Sequence, residues 1–165
     1  MNPPTVDEVM TQELHVCSRD QTAEAALRLM YEHDCGCVPI VEDGVVVGIV
    51  TDRDLALAVA AHDLRPSQVR LEQVMSGHVF IVRPETSLAE AEAVMRQQRI
   101  RRIPVVDASS RLIGLLSLAD LARAGAEQRW QSDGAGLSAL DIAGTMATVM
   151  AGATWSSEGP RADHN

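Results

Sequence analysis

Two polar residues at one fixed spacing occur twice in this chain, each time at the end of an apolar run. Gly48-Ile49-Val50-Thr51-Asp52-Arg53-Asp54 places a hydroxyl and, three residues later, a carboxylate; Gly114-Leu115-Leu116-Ser117-Leu118-Ala119-Asp120 does the same. An apolar strand ending in Thr51 or Ser117 leaves one hydroxyl, both donor and acceptor, at its end. The helix expected to begin near Asp54 or Asp120 exposes N–H groups and a positive dipole end, which is an anion site. A carboxylate there cannot favour phosphate, but it can accept two hydrogen bonds from a vicinal diol such as that of ribose. Hydroxyl and helix end for phosphate, carboxylate for ribose and an apolar slot for a base together describe a nucleotide. The competing reading is structural, with Asp54 and Asp120 as helix N-caps and Thr51 and Ser117 closing the strands.

The elements that must position these residues are duplicated as well. Val9-Met10-Thr11 matches Val74-Met75-Ser76. At the same spacing Leu29-Met30 matches Val94-Met95, and Val38-Pro39-Ile40-Val41 matches Ile103-Pro104-Val105-Val106. Gly48 and Gly114 stand one residue further apart, an insertion that a turn tolerates. Each copy reads as strand, helix, strand, strand, helix. His15-Val16-Cys17 and Val79-Phe80-Ile81-Val82 are the opening strands. Thr22 and Ser87 are helix N-caps, and Ser87 completes a capping box with Glu90. Ala23, Ala26, Leu27 and Met30 share one helical face, as do Leu88, Ala91, Val94 and Met95, and both faces belong in a core. Hairpins pair 38–41 with 45–50 and 103–106 with 112–116. Pro39 and Pro104 lack a backbone donor and suit a strand start or an edge. Arg65-Pro66-Ser67 joins the copies. The expected organisation is thus residues 1–64 as the first unit, 65–126 as the second and 127–165 as a C-terminal extension. In that extension Ser132-Asp133-Gly134-Ala135-Gly136 is a breaker. Ser138 then caps a helix bearing Ala139, Ile142, Ala143, Met146 and Met150, and 155–165 is expected to be disordered.

Of the 165 residues 46% are hydrophobic but only 2% aromatic, so the core must be built from Val, Ile, Leu, Ala and Met. A unit of about 60 residues is marginal alone, so the copies are expected to share a core. The net charge of −9 argues against a nucleic-acid groove, which needs a basic face. It leaves room for a small anion held by local arginines. Arg96, Arg99, Arg101 and Arg102 form one such locality, equally readable as a solvated helix end complementing its dipole. No apolar run spans a bilayer, and the C-terminal helix lacks the basic polar face of a membrane-surface helix. The N-terminus lacks signal-peptide features, so a cytoplasmic location is expected. Cys17, Cys35 and Cys37 make no disulfide framework. Cys35-Gly36-Cys37 is too closely spaced for a usual structural zinc site, so free thiols and no metal are expected. A Gly-rich phosphate loop with lysine and a nucleophile–base pair are both missing, so no catalysis is expected.

The order and duplication of these motifs resemble a tandem pair of CBS domains, the Bateman module, over residues 6–124. The resemblance rests on Val-Met-Thr/Ser, on Val/Ile-Pro-Ile/Val-Val, and on Gly-x-x-Thr/Ser-x-x-Asp, each present twice. It implies an α/β (α+β) fold of two β-α-β-β-α repeats, packed through their sheets with pseudo-twofold symmetry. It also implies two clefts between the repeats for adenosine nucleotides or adenosyl ligands, and a homodimeric disc. Carried onto this chain, Thr51 and Asp54 would hold phosphate and ribose in one cleft, and Ser117 and Asp120 in the other. Val38-Pro39 and Ile103-Pro104 would present backbone and apolar surface to the base, with Val16 and Ile81 opposite. Arg53 would face phosphates in the first cleft. Leu118 and Ala119 replace Asp52 and Arg53 in the second copy, so its charge would come from Arg101 or Arg102. The first cleft is then the better home for a polyphosphate, and the second for a less charged adenosyl ligand or for none. The implied function is a stand-alone regulatory module that binds AMP, ADP, ATP or another adenosyl compound and signals to a partner protein. It needs no cofactor. The alternative is a stress-type interaction protein with vestigial clefts, docking a partner through its C-terminal helix.

Overall fold

The computed structural model describes residues 3–126 and 138–151. The expected breaker at 132–136 and the 155–165 tail lie outside them. In chain order the elements are α1 (Ala23–Glu32), β1 (Cys37–Glu42), β2 (Val45–Thr51), α2 (Asp52–His62), α3 (Leu71–Val74), α4 (Leu88–Gln98), β3 (Arg102–Val106), β4 (Leu112–Ser117), α5 (Leu118–Ala126) and α6 (Ala139–Met150). Short 3-10 turns at Val6–Glu8 and Pro66–Gln68 precede each repeat's first helix. The fold is α+β, with two small antiparallel hairpins and helices packed against them.

Asp43 and Gly44 both take positive φ, which closes the β1–β2 hairpin with a two-residue turn whose twist suits the strands. In the β3–β4 turn, Asp107 Oδ1 accepts from the N–H groups of Ser109 and Arg111, and Ser110 takes positive φ. The extra residue of the second copy is absorbed here.

The predicted opening strands shrink to single parallel bridges, Cys17 with Ile40 and Val82 with Val105. The prolines explain this. Cys17 N–H donates to the Pro39 carbonyl, and Val41 N–H donates back to the Cys17 carbonyl. Continuing that parallel ladder toward His15 needs an N–H from residue 39, which proline lacks. Pro104 ends the Val82 ladder in the same way.

Each repeat's core recruits the opening segment of the other. Val6 is fully buried among Leu88, Met95, Ile103, Leu116 and Leu121 of the second repeat. Val69 and Leu71 are buried among Ala26, Met30, Ile40, Val50 and Leu55 of the first. The exchange extends to backbone. Ala23 N–H, the first of α1, donates to Val69 O, and Leu88 N–H, the first of α4, donates to Pro4 O. Thr22 stands at the N-cap without a side-chain cap bond, whereas Ser87 makes the expected capping box with Glu90. Thr11 and Leu115 exchange both N–H···O bonds, as do Ser76 and Ile49, so each opening segment adds an edge bridge to a hairpin of the opposite repeat. These bridges bring Met10 over Gly114 and Met75 over Gly48. A Cβ at Gly48 would lie 2.5 Å from Met75 Sδ, so glycine there permits the close approach.

Helix α6 packs on α4 and α5, but along a different stripe from the one expected. Ile142, Thr145 and Val149 are buried and Met146 is half-buried; Ala139, Ala143 and Met150 are exposed. A polar contact sets this rotation. The Thr145 hydroxyl donates to the Glu92 carboxylate of α4, itself only 4% exposed. A buried carboxylate needs such a partner, and no purely apolar stripe supplies one.

Candidate functional site

The helices behind the duplicated motif begin earlier than expected, at Asp52 and Leu118. Thr51 and Ser117 occupy the N-cap positions, and Asp54 and Asp120 are the third residues of their helices. Thr51 N–H and Oγ1–H both donate to Asp54 Oδ2, at 2.9 and 2.7 Å, and Asp54 N–H returns a bond to Thr51 Oγ1 at 3.2 Å. Ser117 and Asp120 repeat this geometry at 2.8, 2.6 and 3.1 Å. The motif is thus a capping box with aspartate in the place of the usual glutamate.

That arrangement corrects two expectations. Both hydroxyl protons are already given to the aspartates, so Thr51 and Ser117 offer a ligand acceptor capacity only. The start of α2 is also not an open anion site, because its first three N–H groups are bonded to Gly36 O, Asp52 Oδ1 and Thr51 Oγ1. The carboxylates differ in what remains. Asp120 Oδ1 is held by Arg123 at 3.0 Å, whereas Asp54 Oδ1 meets no donor among the described residues.

Among the described residues, two cavities between the repeats carry the duplicated hydroxyls. The larger, of ≈ 520 Å³, is lined by Cys37, Ile49, Thr51 and Arg53 from the first repeat and by Arg99, Ile100, Arg101 and Arg102 from the α4–β3 connection. Val149 and Met150 of α6 complete its wall. The smaller, of ≈ 370 Å³, joins Leu115, Ser117 and Asp120 to Pro39 and to the α1–β1 connection Asp34, Cys35 and Cys37. Thr11, Glu13, Leu14, His15, His33 and Arg102 close it. Both volumes fall within the range of small-molecule sites.

The connections cross over. Each hydroxyl strand faces the other repeat's helix–strand connection, and those connections, equivalent in the duplication, differ sharply in charge. Arg99-Ile100-Arg101-Arg102 faces Thr51, and Asp34-Cys35-Gly36-Cys37 faces Ser117. Arg101 therefore belongs to the Thr51 cleft rather than to the Ser117 cleft, and Arg102 lines both. Sequence proximity pointed the wrong way because the α4–β3 connection ends beside its own hairpin but opens onto its neighbour's. Four arginines line this one cleft, and a guanidinium offers the planar donors that suit phosphate oxygens. The Ser117 cleft instead carries Glu13, Asp34 and Asp120, which oppose a polyanion.

Other expected lining residues lie elsewhere. Val38 and Ile103 are fully buried in the two cores, so only their backbone could meet a ligand. Pro39 lines the Ser117 cleft, but Pro104 is buried in β3 and lines neither. Val16 and Ile81 are 38% and 45% exposed, and Val16 faces a shallow groove with Thr22, Ala25 and Arg28. Successive side chains of an extended chain alternate in direction, so burying Cys17 and Val82 turns their predecessors out. Asp54 is half-buried in its capping box and lines neither cavity.

No residue pattern marked Val149 and Met150 as wall residues, because α6 follows the repeats and has no counterpart among the described elements of the first. His15 and His33 stack with ring centroids 3.4 Å apart in the smaller cleft. Among the described residues no three His, Cys, Asp or Glu side chains are grouped to hold a metal ion. Burial pushes the Cys37 thiol up to about 11, with nearby Arg102 opposing the shift, and burial also raises Cys17. At pH 8 the native protein should therefore react with iodoacetamide first at half-buried Cys35, with Cys37 and Cys17 protected until unfolding. Peptide mapping after a short exposure reads the order, and early modification of Cys37 would show its thiol to be more open than this packing allows.

Among the described residues no helix is long and apolar enough to cross a membrane. The family model for the CBS domain matches residues 6–61 and again 71–127. The chain is 40% identical over 118 residues to the CBS domain-containing protein YhcV of Bacillus subtilis, covering 72% of this chain and 83% of that one. A structure of a protein with CBS domains from Burkholderia ambifaria superposes with a TM-score of 0.70 at 29% identity, over 76% of this chain and 96% of the other. The structure of CBSX2 in complex with AMP superposes with a TM-score of 0.65 at 32% identity, over 74% and 96%. Crossed repeats, duplicated capping boxes and these likenesses agree: the chain belongs to the CBS-domain family as a tandem pair.

Proposed function

We propose that this CBS pair binds an adenosine nucleotide in the Thr51 cleft and uses the bound state to regulate a partner protein. The observation that carries this reading is the convergence of Arg53, Arg99, Arg101 and Arg102 on one inter-repeat cavity in a protein of net charge −9. Against that background a local cluster of four cations selects an anion. The apolar side chains Ile49, Ile100, Val149 and Met150 line the same cavity and suit the flat face of a base. The related CBSX2 structure holds AMP, which supports the ligand class. The polyphosphate charge is met by arginines and not by the helix end. The Ser117 cleft, with its three carboxylates, suits a neutral or cationic adenosyl compound. Assembly into a homodimeric disc and an intracellular site of action belong to the same proposal.

A ligand regulates only through unequal affinity for two states of its receptor. The alternative, an interaction protein with vestigial clefts, drew on the apolar stripe of the C-terminal helix. Of that stripe Ile142 is buried and Met146 half-buried on the side packed against α4 and α5, which leaves Ala139, Ala143 and Met150 exposed and narrows the surface that could dock a partner.

A thermal-shift panel of AMP, ADP, ATP, S-adenosylmethionine, NAD and cyclic dinucleotides tests the reading. Ligand at 100 times its dissociation constant stabilises by about 2.7 kcal/mol, a readable rise in Tm. ATP and ADP should act more strongly than S-adenosylmethionine at the Thr51 cleft. No shift with any compound at millimolar concentration would remove the nucleotide assignment.

A further inference from the structure

Helix α6 lies outside the duplicated repeats, yet it contributes to the cavity that the repeats form. Val149 is at once a member of the second repeat's core and a wall residue of the arginine cleft. Met150, the next residue, is 62% exposed and lines the same cleft. One turn earlier, Thr145 is fully buried and bonded to the Glu92 carboxylate, which also lies 3.8 Å from Arg96 Nε. The helix is therefore pinned at its middle by a specific polar contact and ends at the cleft. With α6 docked the cavity still measures ≈ 520 Å³, so the helix walls the site without filling it.

We infer that docking of α6 and occupancy of the arginine cleft are positively coupled: a nucleotide in the cleft packs on Val149 and Met150 and holds the helix against α4 and α5. The inference rests on the nucleotide reading above and adds the element that reports binding. Its physical basis is reciprocity. A ligand that touches α6 only when the helix is docked must stabilise the docked form, and undocking must weaken the ligand by the same factor. Among the described residues no helix stands at the corresponding face of repeat one, so the reporter belongs to the Thr51 cleft.

Hydrogen exchange on the full chain, with and without ATP, tests it. ATP should slow exchange of the Ala139–Met150 amides. Met150→Ala, a change at an exposed side chain that leaves both cores intact, should weaken ATP on the order of five-fold and diminish that protection. Thr145→Val should speed α6 exchange in the free protein and weaken ATP in proportion. Calorimetric binding of ATP with unchanged or faster α6 exchange, or with wild-type affinity in Met150→Ala, overturns the coupling alone. Absence of calorimetric binding overturns the nucleotide reading and the coupling together.

Discussion

Replacing Arg53 and Arg101 together by glutamate will abolish ATP-dependent stabilisation and leave the unliganded Tm nearly unchanged. Both side chains are exposed and neither takes part in an ion pair among the described residues, so the fold loses little by their reversal. The cleft loses half its cations and gains two anions beside the remaining Arg99 and Arg102. A charged hydrogen bond contributes about 1.5–3 kcal/mol, so losing two weakens ATP at least on the order of 100-fold, before repulsion is counted. Titration calorimetry of ATP against the wild type and the double variant reads this directly. The comparison with S-adenosylmethionine is equally informative, since a ligand of the Ser117 cleft should be almost indifferent to both changes. Equal loss of every ligand would mean that the two clefts do not divide by charge.

The same experiment on the duplicated aspartates is less clean, because each carboxylate also caps its own helix. Asp54→Ala removes a capping-box acceptor as well as the carboxylate that the sequence pattern assigns to ribose, and loss of a cap costs about 1 kcal/mol of stability. A lowered affinity in that variant would mix two causes. Asp54→Asn retains an acceptor oxygen and is the better probe.

What could be read from the residues divides along a physical line. The helix faces, hairpins and duplicated motif depend on local periodicity and turn chemistry, so Ala23, Ala26 and Met30, or Leu88, Ala91 and Met95, are buried as their spacing requires. The shortened opening strands were also within reach, because Pro39 and Pro104 lack the donor a longer ladder needs. What was not legible is which surfaces meet across the pseudo-twofold. Arg101 and Ser117 are near in sequence, but Arg101 faces Thr51. Nor does a single chain's periodicity show that Thr145, a polar residue, is the centre of the inward face of α6. That depends on Glu92 being buried opposite it.

The exchange of opening segments leads to the second large effect. Leu71→Ala should destabilise the protein by about 2–5 kcal/mol, because Leu71 is fully buried and its truncation leaves a cavity. The position of the damage is the sharper outcome. Leu71 follows the joint at Pro66, so chain order places it in the second repeat, yet it packs with Ala26, Met30, Ile40 and Leu55 of the first. In a methyl-resolved NMR spectrum the perturbed signals should be those of the first repeat's core, with Leu116 and Leu121 little affected. Val6→Ala should give the reciprocal pattern, disturbing Leu116 and Leu121 and sparing Leu55. If each substitution instead disturbed the core of its own repeat, the segments would not be exchanged. The clefts depend on this exchange, since the same strands that carry Met75 to Gly48 and Met10 to Gly114 bring Thr11 and Leu115 together at the wall of the Ser117 cleft. Loosening either opening segment should therefore weaken ligand binding without touching any residue that meets the ligand.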